Sequence, residues 1–252
     1  GDGECQEGQV WEACMAAAHY KLDNLCAVLD YNHLQIDGNI DDVISPEPFA
    51  SKFESFGWNV LDVNGHDFNE LRNAFEQAKQ VKDKPTMIIA HTIKGKGLHE
   101  AEVDKDHYHW IVPGELDKKP VAENAIRKES YESITADYIL DRASKDSSII
   151  AISPATPGVS GFTPEFRKKL GKNYVDVGIA EEHAVAFASG LAKGGAKPML
   201  AVMSSFIQRT YDQLSQDLAL KNPPATLLIF WGGITGMDAT HLSKYDIPLI
   251  CN

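Results

Sequence analysis

Short apolar runs alternate with longer stretches in which apolar residues return every three or four positions, and this alternation persists along the chain. Val10, Cys14, Ala17 and Ala18 fall on one side of a helix that follows the opening loop. The apolar runs at 25–29, 58–63 and 86–90 predict short strands. Phe68, Leu71, Phe75 and Ala78 recur at helical spacing and predict an amphipathic crossover helix between the last two. The turn Asn64-Gly65-His66-Asp67 leads into it, with Asp67 as the N-cap.

From about Lys94 to Lys128 the pattern becomes polar and loses its period, which reads as a long linker able to carry functional residues. The alternation then resumes. Strands are predicted at 148–152, 174–177, 198–203 and 225–231, and helices at 131–143, 182–193 and 206–220. The expected architecture is α/β: two doubly wound, mainly parallel-sheet domains at 1–95 and 129–252, joined by a linker at 96–128. No residue-level repeat relates the two halves.

Composition sharpens this picture. At 252 residues, 43% hydrophobic and 24% charged, the chain is long and apolar enough for two cores. A formal charge of −12 argues against non-specific nucleic-acid binding, which needs an excess of Lys and Arg. No apolar run approaches the roughly 20 residues of a membrane-spanning helix. Cys5, Cys14, Cys26 and Cys251 form no metal-binding spacing and read as buried small hydrophobes in a reducing, cytoplasmic compartment. The chain opens on Gly1 without an initiator Met and stops within an apolar run, so it reads as an internal piece of a longer protein.

The opening loop carries the first candidate chemistry. Gly1-Asp2-Gly3-Glu4 precedes a helix, and Asn32 follows the next predicted strand. Glycines let backbone approach a phosphate closely, and a helix N-terminus offers unpaired N–H groups to it. Asp2 and Asn32 could each give an oxygen to one Mg²⁺, with the carbonyl of Leu34 as a further ligand. Taken singly, a Gly-Asp-Gly loop or an Asn after a strand is an ordinary turn.

The combination is more specific. Gly1-Asp2-Gly3 through Asn32 resembles the thiamin-diphosphate signature, and the runs 1–12 and 29–38 closely resemble the transketolase superfamily. That resemblance implies thiamin diphosphate and Mg²⁺ as cofactors, with Gly1, Asp2, Gly3, Glu4 and Asn32 at the diphosphate and Asp2, Asn32 and Leu34 on the metal. It also implies that Glu7 helps link two active sites across a dimer; a helix-starting acid is the alternative.

A second stretch, Val177-Gly178-Ile179-Ala180-Glu181-Glu182-His183-Ala184-Val185, places an acid at the end of an apolar strand among small residues. Burial there favours its protonated form, as a carboxyl sharing a proton with an aminopyrimidine requires. Residues 174–241 are most similar to the 1-deoxyxylulose-5-phosphate synthase branch of the superfamily. By that resemblance Glu181 activates the cofactor, Phe206 packs on its pyrimidine and Arg209 lies beside cofactor and substrate. His241 closes a loop that in these enzymes ends in a catalytic His, and His109, ahead of His107, resembles the His of the segment crossing the active site.

The implied activity is transfer of a two-carbon unit to an aldehyde, either synthase-like with decarboxylation of pyruvate or transketolase-like from a ketose phosphate. Substrates would be 2-oxo acids or sugar phosphates, and the assembly a homodimer or paired half-chains. A third, C-terminal domain usual in the family is absent from this sequence. Trp231 stands where the synthase branch tends to carry an Arg facing substrate phosphate, leaving open whether the acceptor is phosphorylated. A non-catalytic cofactor-binding piece is the reading from another functional class.

Overall fold

A computed structural model describes residues 1–35, 38–103, 129–232 and 250. The chain forms two compact units, Gly1–Val121 and Ala122–Asn252.

In the first unit a 3₁₀ turn, Gly3–Gln6, runs into α1 (Gly8–His19), followed by β1 (Cys26–Tyr31) and the two-residue strands β2 (Leu34–Gln35) and β3 (Gly38–Asn39). Next come α2 (Ile40–Val43), α3 (Phe49–Ser55), β4 (Asn59–Asn64), α4 (Phe68–Ala78), β5 (Thr86–His91) and α5 (His99–Val103). Strands β1, β5 and β4 form a parallel sheet in that order, in which Thr86 is level with both Cys26 and Asn59. One face is sealed by α1 and α3: Cys14, Ala17, Phe49 and Phe53 pack with Leu29, Met87 and Ile89. The Trp58 indole N–H donates to the Cys14 carbonyl at 3.0 Å, tying α1 to the start of β4.

Three details of this unit depart from the sequence pattern. Helix α4 is capped by Asp67, which accepts from the N–H groups of Asn69 and Glu70. Of the predicted stripe Ala78 is buried, together with Ala74 beside it, while Phe68 is 82% exposed. Helical spacing identifies a stripe, and the small residues on the flank of that stripe let the helix lie close to the sheet. Cys26 is exposed rather than buried, unlike Cys5 and Cys14. Within the supposedly aperiodic segment, α5 forms over His99–Val103 because Gly95 turns back beneath it at φ +80°; a Cβ there would lie 2.8 Å from the Ala101 carbonyl. Glu102 accepts the Gly97 N–H at 3.0 Å and closes that loop.

The second unit contains α6 (Tyr131–Lys145), β6 (Ile149–Ser153), α7 (Pro164–Leu170), β7 (Tyr174–Asp176), α8 (Glu181–Lys193), β8 (Lys197–Met203) and β9 (Thr226–Phe230). Its strands are all parallel in the order β7-β6-β8-β9. Alternation along the strands explains the two-sided wrapping. Ile149, Ala151, Ala201 and Phe230 pack with Ala136 and Ile139 of α6 and Phe166 of α7. Ile152, Leu200 and Val202 point the other way, against Ala184, Val185 and Ala188 of α8. This is the doubly wound α/β arrangement expected.

The predicted helix at 206–220 is broken into a 3₁₀ turn (Ile207–Thr210), one turn of α9 (Tyr211–Gln213) and a π-helical stretch (Leu214–Ala219). The Ser189 hydroxyl donates to the Asp217 carbonyl at 2.8 Å, satisfying part of the π backbone from α8. No helix among the described residues is long and apolar enough to cross a membrane.

Candidate active site

The opening loop of the first unit folds onto the C-terminal end of β1, where ligands of open α/β sheets bind. The Asp2 N–H donates to the Asp30 carbonyl at 3.1 Å, and the Asp2 carbonyl accepts from Cys5 at 3.0 Å. Its side chain is 1% exposed. One carboxylate oxygen accepts the Gly3 N–H at 2.8 Å and the other the His33 N–H. Burial raises the Asp2 pKa, and the N–H donors of Gly3 and His33 only partly oppose it. A cation would relieve that desolvation.

Asn32 sits within the same turn. Its amide oxygen accepts the Leu34 N–H at 2.9 Å, and its amide nitrogen donates to Asp30 at 3.3 Å. Asp2 and Asn32, 30 positions apart, are thus joined through His33. Gly3 lies so close to β2 that a Cβ would come within 3.0 Å of the Gln35 side chain, whereas a Cβ on Gly1 would meet nothing. Glu4 is exposed, and Glu7 occupies the N-cap position of α1 without its side chain capping the helix.

Two features of this end have no sequence signal. Tyr31 donates to Glu47, and its ring lies 4.2 Å from that of His33, so the β1 end gathers His33, Asp41 and Glu47 with ligand atoms within 4.8 Å of one another. At the ends of β4 and β5, His66 Nε2 accepts the Ile93 N–H at 2.8 Å. Gly65 is required there, because a Cβ would lie 2.5 Å from Thr92 and 2.9 Å from the His91 carbonyl.

In the second unit Glu181 does not end a strand. Strand β7 stops at Asp176, and Glu181 opens α8 after a four-residue connection. Glu181 is 1% exposed, and its carboxylate accepts from Arg209 Nη1 at 2.9 Å. Placed in the first helical turn, an acid also complements the helix dipole. The Arg209 guanidinium lies 5.1 Å over the Phe206 ring, so Glu181, Arg209 and Phe206 form one cluster. Phe206 is itself packed against the core under α8. At the C-terminal ends of β6 and β8, Ser153, Thr156 and Ser205 hold buried hydroxyls without a partner among the described residues. Such orphaned groups suit an edge built to receive a polar ligand. Met203 is buried, and Trp231 follows β9 with φ +55°, packed at the margin of the α6 side of the core. His107, His109 and His241 lie outside the described residues.

The donors of the first unit are all hard oxygens, which fits Mg²⁺ with a diphosphate, and the second unit offers a buried carboxyl beside an aromatic ring, which fits an aminopyrimidine.

Comparison with known proteins agrees. Residues 1–120 match the family described as transketolase, thiamine diphosphate binding domain, and residues 128–249 match transketolase, pyrimidine binding domain. A protein of Haemophilus influenzae named 1-deoxy-D-xylulose-5-phosphate synthase is 40% identical over 82% of this chain and 33% of its own length. One from Paraburkholderia phymatum with the same name is 37% identical over 96% of this chain and 38% of its own. A solved transketolase from Leishmania mexicana aligns over 98% of this chain and 48% of that one, at 18% identity and a TM-score of 0.45. The chain thus spans about a third of the length of those two curated relatives. The two family matches cover nearly all of it in consecutive order, and the chain belongs to the thiamine-diphosphate-dependent transketolase superfamily.

Proposed function

We propose that this chain carries the cofactor-holding part of a transferase that moves a two-carbon unit to an aldehyde, with pyruvate as the decarboxylated donor, as in the 1-deoxy-D-xylulose-5-phosphate synthases it resembles. The observation that carries this reading is Glu181, 1% exposed and held at 2.9 Å by Arg209, within residues that match a pyrimidine-binding domain. Thiamin diphosphate, when bound, supplies the carbanion chemistry that side chains lack.

This chain's own residues supply position and proton control. Asp2, Asn32 and the Leu34 carbonyl hold Mg²⁺ against the diphosphate, and Gly1, Gly3 and Glu4 line its approach. Glu181 holds a proton at N1′ of the aminopyrimidine, Phe206 packs on that ring, and Arg209 fixes Glu181 in place. His109 and His241 move protons on the substrate. The functional division is a diphosphate domain at 1–95, a linker at 96–128 and a pyrimidine domain at 129–252. The active assembly is a dimer or a pair of unlike chains, in the cytoplasm. The transketolase reaction is the second reading, favoured by the run Gly1 to Glu12.

The test is Glu181→Gln at saturating cofactor. Loss of roughly 10²-fold or more in turnover is expected for a positioned acid–base group, with cofactor binding retained. Parental turnover would remove Glu181 from activation and leave the catalytic reading without its main support.

A further inference from the structure

Glu181 is delivered by a short connection whose first turn is held by one side chain. Asp176 is the last residue of β7, level with Ser153 at the end of β6. Its Oδ1 accepts the Gly178 N–H at 2.9 Å and the Ala155 N–H at 3.0 Å. Its Oδ2 accepts from the Tyr174 hydroxyl at 2.9 Å. Both N–H donors belong to left-handed residues, Gly178 at φ +72° and Ala155 at φ +54°. For alanine that conformation is strained, so something must hold it there. The Asp176 carboxylate does so for two loops at once.

The consequences reach the cofactor end from both sides. From Asp176 onward, the Val177 N–H donates to the Ser153 carbonyl at 3.1 Å and the Ala180 N–H to the Gly178 carbonyl at 2.8 Å. The Ala184 N–H then donates to the Ala180 carbonyl at 3.0 Å and starts α8. Just beyond β6, Ala155 immediately precedes Thr156, whose buried hydroxyl has no partner among the described residues. The outer strand of a parallel sheet does not need a carboxylate at its end to pair with its neighbour. A catalytic carboxyl, by contrast, must be held within a fraction of an ångström, since misplacement by about 1 Å can cost 10²-fold in rate.

We propose that Asp176 is a positioning residue for Glu181: its Oδ1 clamps the Gly178 and Ala155 turns and so sets where Glu181 meets the pyrimidine ring. This inference rests on the activating role of Glu181 proposed above. The clamp at Gly178 and Ala155 depends on where the acceptor oxygen sits. Asparagine keeps an oxygen at Oδ1, and the Tyr174 hydroxyl can turn to accept from its amide. Glutamate keeps the charge but displaces the oxygen by a methylene.

The experiment compares Asp176→Asn, Asp176→Glu and Asp176→Ala by two readouts. In the cofactor-free chain, amide hydrogen exchange at Ala155 and Gly178 reports the clamp itself. Protection is expected in the parent and the Asn variant and lost in the Glu and Ala variants. With saturating thiamin diphosphate and Mg²⁺, deuterium exchange at the thiazolium C2 reports the setting of Glu181, measured across pH. The Asn variant should stay within about threefold of the parent with the same pH profile, and the Glu variant should fall about tenfold or more with a displaced profile. A Glu variant as fast as the parent, or an Asn variant as slow as the Glu variant, overturns the proposal. The Asn and Glu pair decides this even if the Ala variant does not fold. Glu181→Gln serves as the control. Parental C2 exchange in that variant would mean that the activating role fails, whereas slow exchange there beside a fast Asp176→Glu would mean that only the positioning role fails.

Discussion

Arg209 and Glu181 are 28 positions apart and meet at 2.9 Å, the guanidinium half outside and the carboxylate almost wholly inside the second unit. Burying a carboxylate is costly unless it is paired, and Arg209 offers Glu181 one such partner. Replacing Arg209 by Met should destabilise the unit by about 1–3 kcal/mol, less than for a fully buried pair because Arg209 is partly solvated. Urea unfolding of Arg209→Met, Glu181→Leu and the double variant checks this. The double variant should recover much of the loss, and strictly additive losses would mean that the two side chains are not coupled.

In the first unit, Asp2 and Asn32 are linked through the backbone of His33. Asp2→Ala and Asn32→Ala should each weaken Mg²⁺-dependent binding of thiamin diphosphate at least about tenfold, as read by calorimetric titration. Binding of the cofactor at parental affinity in either variant would remove that residue from the metal.

The acid stability of the second unit should depend on Asp146. Its carboxylate accepts from Lys197 and from Ser148, and these partners hold its pKa well below the ordinary 3.8. A depressed pKa means that the folded state favours the anion. The contribution is therefore present above about pH 4 and is lost as pH falls through the lowered value. Asp146→Asn should lower the thermal midpoint at pH 7 and flatten its decline between about pH 5 and 2. An unchanged pH profile would show that the group contributes nothing to folding.

The cysteines offer a check on burial. Burial pushes the Cys5 thiol up to about 12 and Cys14 to about 11, and it also raises Cys26, which is nevertheless exposed. In a Cys251→Ser background, a disulfide reagent at pH 8 should label Cys26 first, with Cys5 and Cys14 reacting only on unfolding. Because the thiolate is the nucleophile, the Cys26 rate should climb roughly tenfold from pH 7 to 8. Prompt labelling of Cys5 would contradict the packing of the opening loop.

Period-2 and period-3.6 patterns carry most of the fold because they report which face is buried. Ile149 and Ala151 face one helical layer and Ile152 the other, and the cap at Asp67 follows from the residue type alone. Spacing placed Ala78 on the inner stripe but could not reveal that Ala74, rather than Phe68, joins it, since that depends on how closely the helix packs. Nor could it show the break after Phe206, which Ser189 on another helix supports. The proximity of the Asp2 loop to Asn32 was legible because one helix and one strand separate them. The Asp176 clamp and the Tyr31–Glu47 contact were not, because their partners come from separate segments whose residue types are ordinary.

The most direct test of the proposed activity is a product assay on the natural protein with thiamin diphosphate and Mg²⁺. Pyruvate with glyceraldehyde phosphate is offered in one reaction, and xylulose phosphate with ribose phosphate in another. The account predicts CO₂ release and a 1-deoxyketose phosphate in the first alone. Sedoheptulose phosphate in the second alone would contradict the synthase assignment in favour of a transketolase. Silence in both, with cofactor demonstrably bound, would contradict the two-carbon transfer to a phosphorylated aldehyde altogether.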